Sequence, residues 1–217
     1  MNACIEHVGG ARAVMVTWDE RFRKGEYPTD PTPSPVLERY VDTFPTGRAL
    51  DVATGTGRNA LFLAERGYRV DGIDQSREGL RIAEDSARDR SVADRTTWIQ
   101  ADVREHAFPT NAYEVVTISF FHSLDRLTDI KEALVPGGVL FYQGHLRSSD
   151  PVDVGPSTDR YRFAANELLH ACLDLTVLYY EEARQQRDGR QAANATLIAR
   201  NTTGPAQSYP LRPDPPV

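Results

Sequence analysis

Cysteine is scarce in this 217-residue chain, Cys4 and Cys172 being the two, far apart and without a CxxC spacing or a neighbouring histidine cluster. Neither a disulfide framework nor a metal site is expected. Long apolar runs are missing: no stretch approaches the roughly 18 residues of a spanning helix, and residues 1–15 lack the basic start and apolar centre of a secretion signal. A cytoplasmic protein without a membrane partner is expected. Lysine is nearly absent, with Lys24 and Lys131 alone, and 31 acidic against 25 basic residues give a formal net charge of -6. An acidic chain without a basic extension is not expected to bind nucleic acid. What remains is ordinary globular composition, 40% hydrophobic and 26% charged, with a mean hydropathy of -0.47 and a length that suits one domain with additions.

The pattern along the chain alternates between strand and helix periods. Residues 1–15 show no period and read as a flexible extension, with Met15 as an alternative start; residues 201–217, rich in Pro, Gly, Ser and Thr, read as a disordered tail. Between them, Ser34 as cap and Pro35 at the first position open a helix over 35–43. Apolar strand-length runs follow at 48–53, 68–73, 97–100, 113–120 and 139–143. Helices are expected at 58–65, 77–87, 124–134 and 166–173, and a turn at Pro136-Gly137-Gly138. The segments 175–182 and 191–200 flank Asp188-Gly189 and read as an antiparallel hairpin. The expected fold is α/β: a Rossmann-like three-layer sandwich over residues 16–200, with a mostly parallel seven-stranded sheet and an antiparallel C-terminal hairpin. Its ligand crevice should lie beyond the carboxyl ends of the strands.

The first such end carries the clearest chemistry. Gly55-x-Gly57-x-x-Ala60 sits between strand and helix, and Asp74 ends the next strand, a spacing that satisfies the dinucleotide fingerprint. Asp51, four residues before Gly55, argues for a different ligand, because its carboxylate would repel a pyrophosphate and suit an ammonium group. S-adenosylmethionine has that ammonium and no phosphate. A short-chain dehydrogenase would also need Tyr-x-x-x-Lys, whereas Lys24 and Lys131 are preceded at that distance by Glu20 and Leu127.

The run ALDVATGTGRNALFLAERGYRVDGIDQS, residues 49–76, resembles the first motif, helix and acidic second strand of class I S-adenosylmethionine-dependent methyltransferases. Ala53 stands where many members have the first glycine. The resemblance implies that Asp51 with Ala53, Thr54, Gly55, Thr56, Gly57 and Asn59 holds the methionine end of S-adenosylmethionine. It implies that Asp74, Gln75 and Ser76 hold the ribose, Asp102 and Val103 the adenine, and that Ser119 and Phe120 lie beside the reactive sulfonium. Carboxylates are acceptors only, and each group assigned to one is a donor.

The opening Trp18-Asp19-Glu20-Arg21-Phe22, with Gly25, Tyr27 and Pro28, resembles the tellurite-resistance and thiol methyltransferase group, in which this segment folds over the cofactor. Residues 16–34 are expected to do the same, although the aromatics also suit ordinary packing against the sheet. His122 and Tyr27 are the candidates for direct participation in the chemistry. Trp18, Phe121, His145 and Arg162 are the candidates for acceptor contact, with Arg187 a further possible anion contact. The resemblance implies methyl transfer to a small soft nucleophile: a thiol, a chalcogen oxyanion or a halide. An oxygen, nitrogen or carbon acceptor, a nicotinamide oxidoreductase and a noncatalytic cofactor-binding module are the alternatives. Monomer and homodimer are both compatible with the sequence.

Overall fold

A computed structural model of the chain describes residues 17–27, 32–187, 189–202 and 204–211. Seven strands form one sheet in the order β3-β2-β1-β4-β5-β7-β6. The first five, β1 (Arg48–Val52), β2 (Arg69–Asp74), β3 (Thr96–Gln100), β4 (Tyr113–Ser119) and β5 (Leu134–His145), run parallel. β6 (Thr176–Arg187) and β7 (Arg190–Arg200) form the antiparallel end, with β7 inserted between β5 and β6.

Successive strand side chains face opposite ways, and the two faces bury separate apolar layers. Val116, Ile118, Leu140 and Tyr142 point to one face, covered by α5 (Leu127–Glu132) and α6 (Glu167–His170). Val115, Val139 and Phe141 point to the other, covered by α2 (Pro35–Tyr40) and α3 (Arg58–Glu65). α3 buries six consecutive residues from Asn59 to Ala64. α4 (Arg77–Asp89) keeps an exposed face laced with Arg81 and Arg88 ion pairs. This is the three-layer architecture that the alternating pattern implies.

Three local expectations differ from what is found. Pro136-Gly137-Gly138 is no turn between elements: β5 already begins at Leu134, and these residues bulge out of it where the register with β4 shifts. Gly137 adopts a φ of +83°, and its N–H donates to the carbonyl of Asn201 at 2.6 Å. The helix expected over 124–134 is a 3₁₀ turn, Leu124–Arg126, followed by the shorter α5. Ser34 makes no side-chain cap on α2; its hydroxyl instead donates to Gln143 Oε1 at 3.1 Å.

The order of strands reverses between β1 and β4, so their following loops diverge and open a crevice. Short α1 (Trp18–Arg23), with a Thr17–Glu20 capping box, lies over this end against α4. Residues 1–15, Pro28 and Asp188 lie outside the described residues, as do positions 212–217 of the expected tail and the side chain of Arg187. No helix among the described residues is long and apolar enough to cross a membrane.

Candidate active site

A cavity of about 580 Å³ occupies the crevice. Its acidic end is built by three successive strand termini, which carry Asp51, Asp74 and Asp102. Asp51, 3% exposed at the end of β1, faces Thr117 in the β1–β4 register and accepts its hydroxyl at 2.6 Å and that of Thr54 at 2.5 Å. Burial pushes its carboxyl above the ordinary range, against the pull of those two hydroxyls.

Asp74 accepts the N–H of Ser76 at 2.8 Å on one oxygen and that of Gly55 at 2.8 Å on the other. Burial raises it as well, and the nearby charges of Asp51 and Asp19 add to the effect. Two carboxylates strained as anions by burial form a site for a ligand that brings positive charge and donors.

The glycine loop shows why a pyrophosphate does not suit this end. A phosphate cradle needs N–H groups aimed outward, but Thr54 N–H donates to the carbonyl of Ile73, Gly57 N–H to that of Thr54, and Gly55 N–H to the Asp74 carboxylate. Thr54, Gly55 and Thr56 line the cavity, whereas Gly57 lies away from it. Gly57 adopts a φ of +83°, and a Cβ there would come within 3.0 Å of Ala83 and 3.1 Å of Trp98, so this glycine lets α3 pack on its neighbours. Ala53 holds a left-handed φ of +54°.

Gln75, Asp102 and Val103 also line the cavity; Asp102 accepts the N–H of Arg104 at 3.0 Å. Ser76 lies off the wall, where its Oγ caps α4 by accepting from Gly79 N–H at 3.1 Å. Asn59 lines the cavity yet is bolted in place: its Nδ2 donates to Ser119 Oγ at 2.8 Å, and its Oδ1 accepts from Ser34 N–H at 3.3 Å.

α1 and the turn after it close one side with Trp18, Arg21, Phe22 and Tyr27. The rings of Trp18, Phe22 and Tyr27 stand 5.2–6.0 Å apart. Phe22 wedges between the loop and α4, where a Cβ on Gly55 would meet it at 3.4 Å and one on Gly79 at 3.0 Å. The same aromatics thus pack on α4 and face the cavity.

The far end is aromatic. Phe120, 39% exposed and at a φ of +56°, projects between the Arg58 guanidinium, 5.3 Å from its ring, and the ring of His145 at 4.7 Å. A bulky residue in the left-handed region is a strained arrangement of the kind found at functional sites. Ser119, Phe121, His122 and His145 complete the wall with residues 154–157 and Tyr161.

The Nε2 of His122 is buried without a hydrogen-bond partner among the described residues, its ring lies 4.8 Å from Phe163, and burial lowers its pKa. Arg162 does not line the cavity as an acceptor contact. Its Nε and Nη2 donate to the carbonyl of Pro156 at 3.0 and 2.7 Å, and its Nη1 to that of Leu146 at 3.1 Å, so the guanidinium clamps the loop. Sequence reasoning named both neighbours of Arg58 but not Arg58, and it missed the 154–157 loop, which has no periodic or motif signal.

Residues 49–138 match a family described as a methyltransferase domain. The chain is 31% identical over 128 residues to the ubiquinone/menaquinone biosynthesis C-methyltransferase UbiE of Ectopseudomonas mendocina, covering 55% of this chain and 50% of that one. It thus spans about half the length of the curated relatives it matches. Among solved structures, TehB from Haemophilus influenzae superposes with a TM-score of 0.68 at 19% identity, covering 84% of this chain and 66% of that one. A structure described as concerning conversion of a disulfide bond into a thioacetal group during echinomycin biosynthesis superposes at 0.64 with 20% identity, covering 85% and 91%.

Proposed function

We propose that this chain, whose residues 49–138 match a methyltransferase domain family and whose fold is shared with a solved S-adenosylmethionine-dependent methyltransferase, transfers a methyl group to a small soft nucleophile. The observation that carries the reading is the polarity of the cavity, with three carboxylates at one end and an aromatic wall at the other. The acidic end fits the donor-rich, cationic cofactor. Asp51 would take its ammonium, Asp74 its ribose hydroxyls and Asp102 its adenine amino group, while Gly55 and Thr56 allow close backbone approach.

When bound, S-adenosylmethionine supplies a methyl carbon activated by positive sulfur. The protein's part is to align and dry the reacting pair. Phe120 and Phe121 present ring surface at the far end and Trp18 and Tyr27 on the α1 side of the cavity, and a transfer whose transition state spreads the sulfonium charge gains from such a dry, oriented enclosure. The opening residues Trp18 to Tyr27, which resemble the tellurite-resistance and thiol methyltransferase group, favour a soft acceptor; the structural neighbours share the fold. A carbon acceptor is the competing reading, favoured by the match to a C-methyltransferase.

Purified protein is offered labelled S-adenosylmethionine and a panel of alkyl thiol, sulfide, iodide, selenite and tellurite under reducing conditions. A labelled volatile or thioether product that disappears in Asp51→Ala supports the reading. Cofactor binding without transfer to any of them refutes the soft acceptor and turns the search to oxygen, nitrogen and carbon.

A further inference from the structure

The imidazole of His145 is held on three sides. Its Nδ1 lies 3.1 Å from Asn194 Oδ1, directly across the β5–β7 ladder. The Phe120 ring lies 4.7 Å away on another side. The backbone of Gly155 packs on a third, so closely that a Cβ there would come 3.2 Å from both Cγ and Nδ1 of the histidine. Arg162 fixes that loop through the Pro156 and Leu146 carbonyls.

An amide oxygen can only accept, so Nδ1 carries the proton and Nε2 the lone pair. Nε2 has no hydrogen-bond partner among the described residues and is not among the sealed-off buried atoms, on a ring that lines the cavity. Burial, assisted by the charge of Arg162, lowers the imidazole to about 4, so that lone pair is present throughout the neutral range.

We propose that His145 Nε2 receives the proton released in methyl transfer, and that the acceptor is accordingly a molecule bearing an X–H group, above all a thiol, rather than a halide or an ionised chalcogen oxyanion. The proposal rests on the methyltransferase reading above. As X bonds to the methyl carbon, the carbon–sulfur pair stays with the donor sulfur and the X–H proton passes to Nε2, leaving a methylated acceptor, a neutral thioether and an imidazolium that returns its proton to water. So weak a base does not ionise a free thiol of pKa about 8.5 beforehand. It need not, because a sulfur already bonding to carbon holds its proton far less tightly than an imidazolium does.

The test compares wild type, His145→Gln and Asn194→Ala for three readouts: cofactor affinity by calorimetry, methylation of thiols of graded pKa, and ¹⁵N shifts of the His145 ring without ligands. In wild type the shifts should report a protonated Nδ1, and Asn194→Ala should mix the tautomers. With cofactor affinity retained, His145→Gln should slow an alkyl thiol by about 100-fold or more, and its loss should be at least about tenfold smaller with an aromatic thiol already ionised at the assay pH. Equal losses across the series, or an Nε2-protonated wild type, would overturn the proposal. A wild type that methylates iodide but no thiol overturns it and leaves methyl transfer standing; one that binds the cofactor and methylates nothing overturns both.

Discussion

The carboxylate of Asp19 accepts the hydroxyl of Ser76 at 2.5 Å across 57 positions of sequence, and the same Oδ1 accepts the N–H of Glu78 at 3.0 Å. α1 therefore supplies part of the cap of α4, and that bond holds Trp18, Phe22 and Tyr27 against the cavity. In Asp19→Ala the segment 17–27 loses its polar anchor. Affinity for S-adenosylmethionine should fall by about tenfold, equivalent to about 1.4 kcal/mol, with little change in melting temperature. Unchanged affinity in a calorimetric titration would mean that these aromatics are only packing.

Asp51 is a carboxyl group in a place that disfavours its ionised form, with burial raising its pKa. Asp51→Asn preserves the shape and can still meet Thr54 and Thr117, while removing the charge. The variant should bind S-adenosylmethionine at least about tenfold more weakly and melt no lower than wild type. A large loss of stability would assign the carboxylate a structural task instead.

Ala53 pays for its left-handed φ of +54°. Glycine at this position relieves roughly 1 kcal/mol of strain, partly offset by the extra freedom of the unfolded chain. Ala53→Gly should raise the melting temperature by about 1–3 °C. A drop in a thermal melt would show that the methyl group packs to more effect than its backbone conformation costs.

His145 also sets a pH dependence of stability. Its folded pKa of about 4 lies below the ordinary 6.5, so between these values the unfolded chain takes up a proton that the native one does not. The stabilisation is intact above about pH 6.5 and is lost as pH falls toward 4, by about 3 kcal/mol in total. Urea titrations at pH 7 and pH 4.5 should therefore show a larger loss in wild type than in His145→Gln. Equal losses would place the imidazole in water.

The strand ends and their acids were legible because each lies in a local pattern: Asp51 before a glycine turn, Asp74 ending an apolar run, Asp102 following another. The bulge at Pro136-Gly137-Gly138 was not, because Pro and Gly mark a break without saying whether the strand resumes in the same sheet; the bonds to Asn201 that decide this come from far along the chain. Arg162 looked like an anion contact because its charge is visible in sequence and the carbonyls that occupy it are not. Asn194, 49 positions from His145, is an unremarkable residue among alanines until β7 aligns it. Ser34 likewise fits a capping pattern, but tertiary contact with Gln143 outcompetes the cap.

The placement of β7 inside β6 has a consequence for synthesis. β6 is made before β7, and its ladder partner is β7 alone, so until β7 pairs with it β6 is a strand with no partner. Its Glu181, Glu182, Arg184, Gln185 and Gln186 suit that interval, since charged and polar side chains discourage an open strand from pairing with another chain. Asn194 lies on β7, the strand that joins β5 to β6, so the orientation of His145 depends on the ladder that closes the sheet.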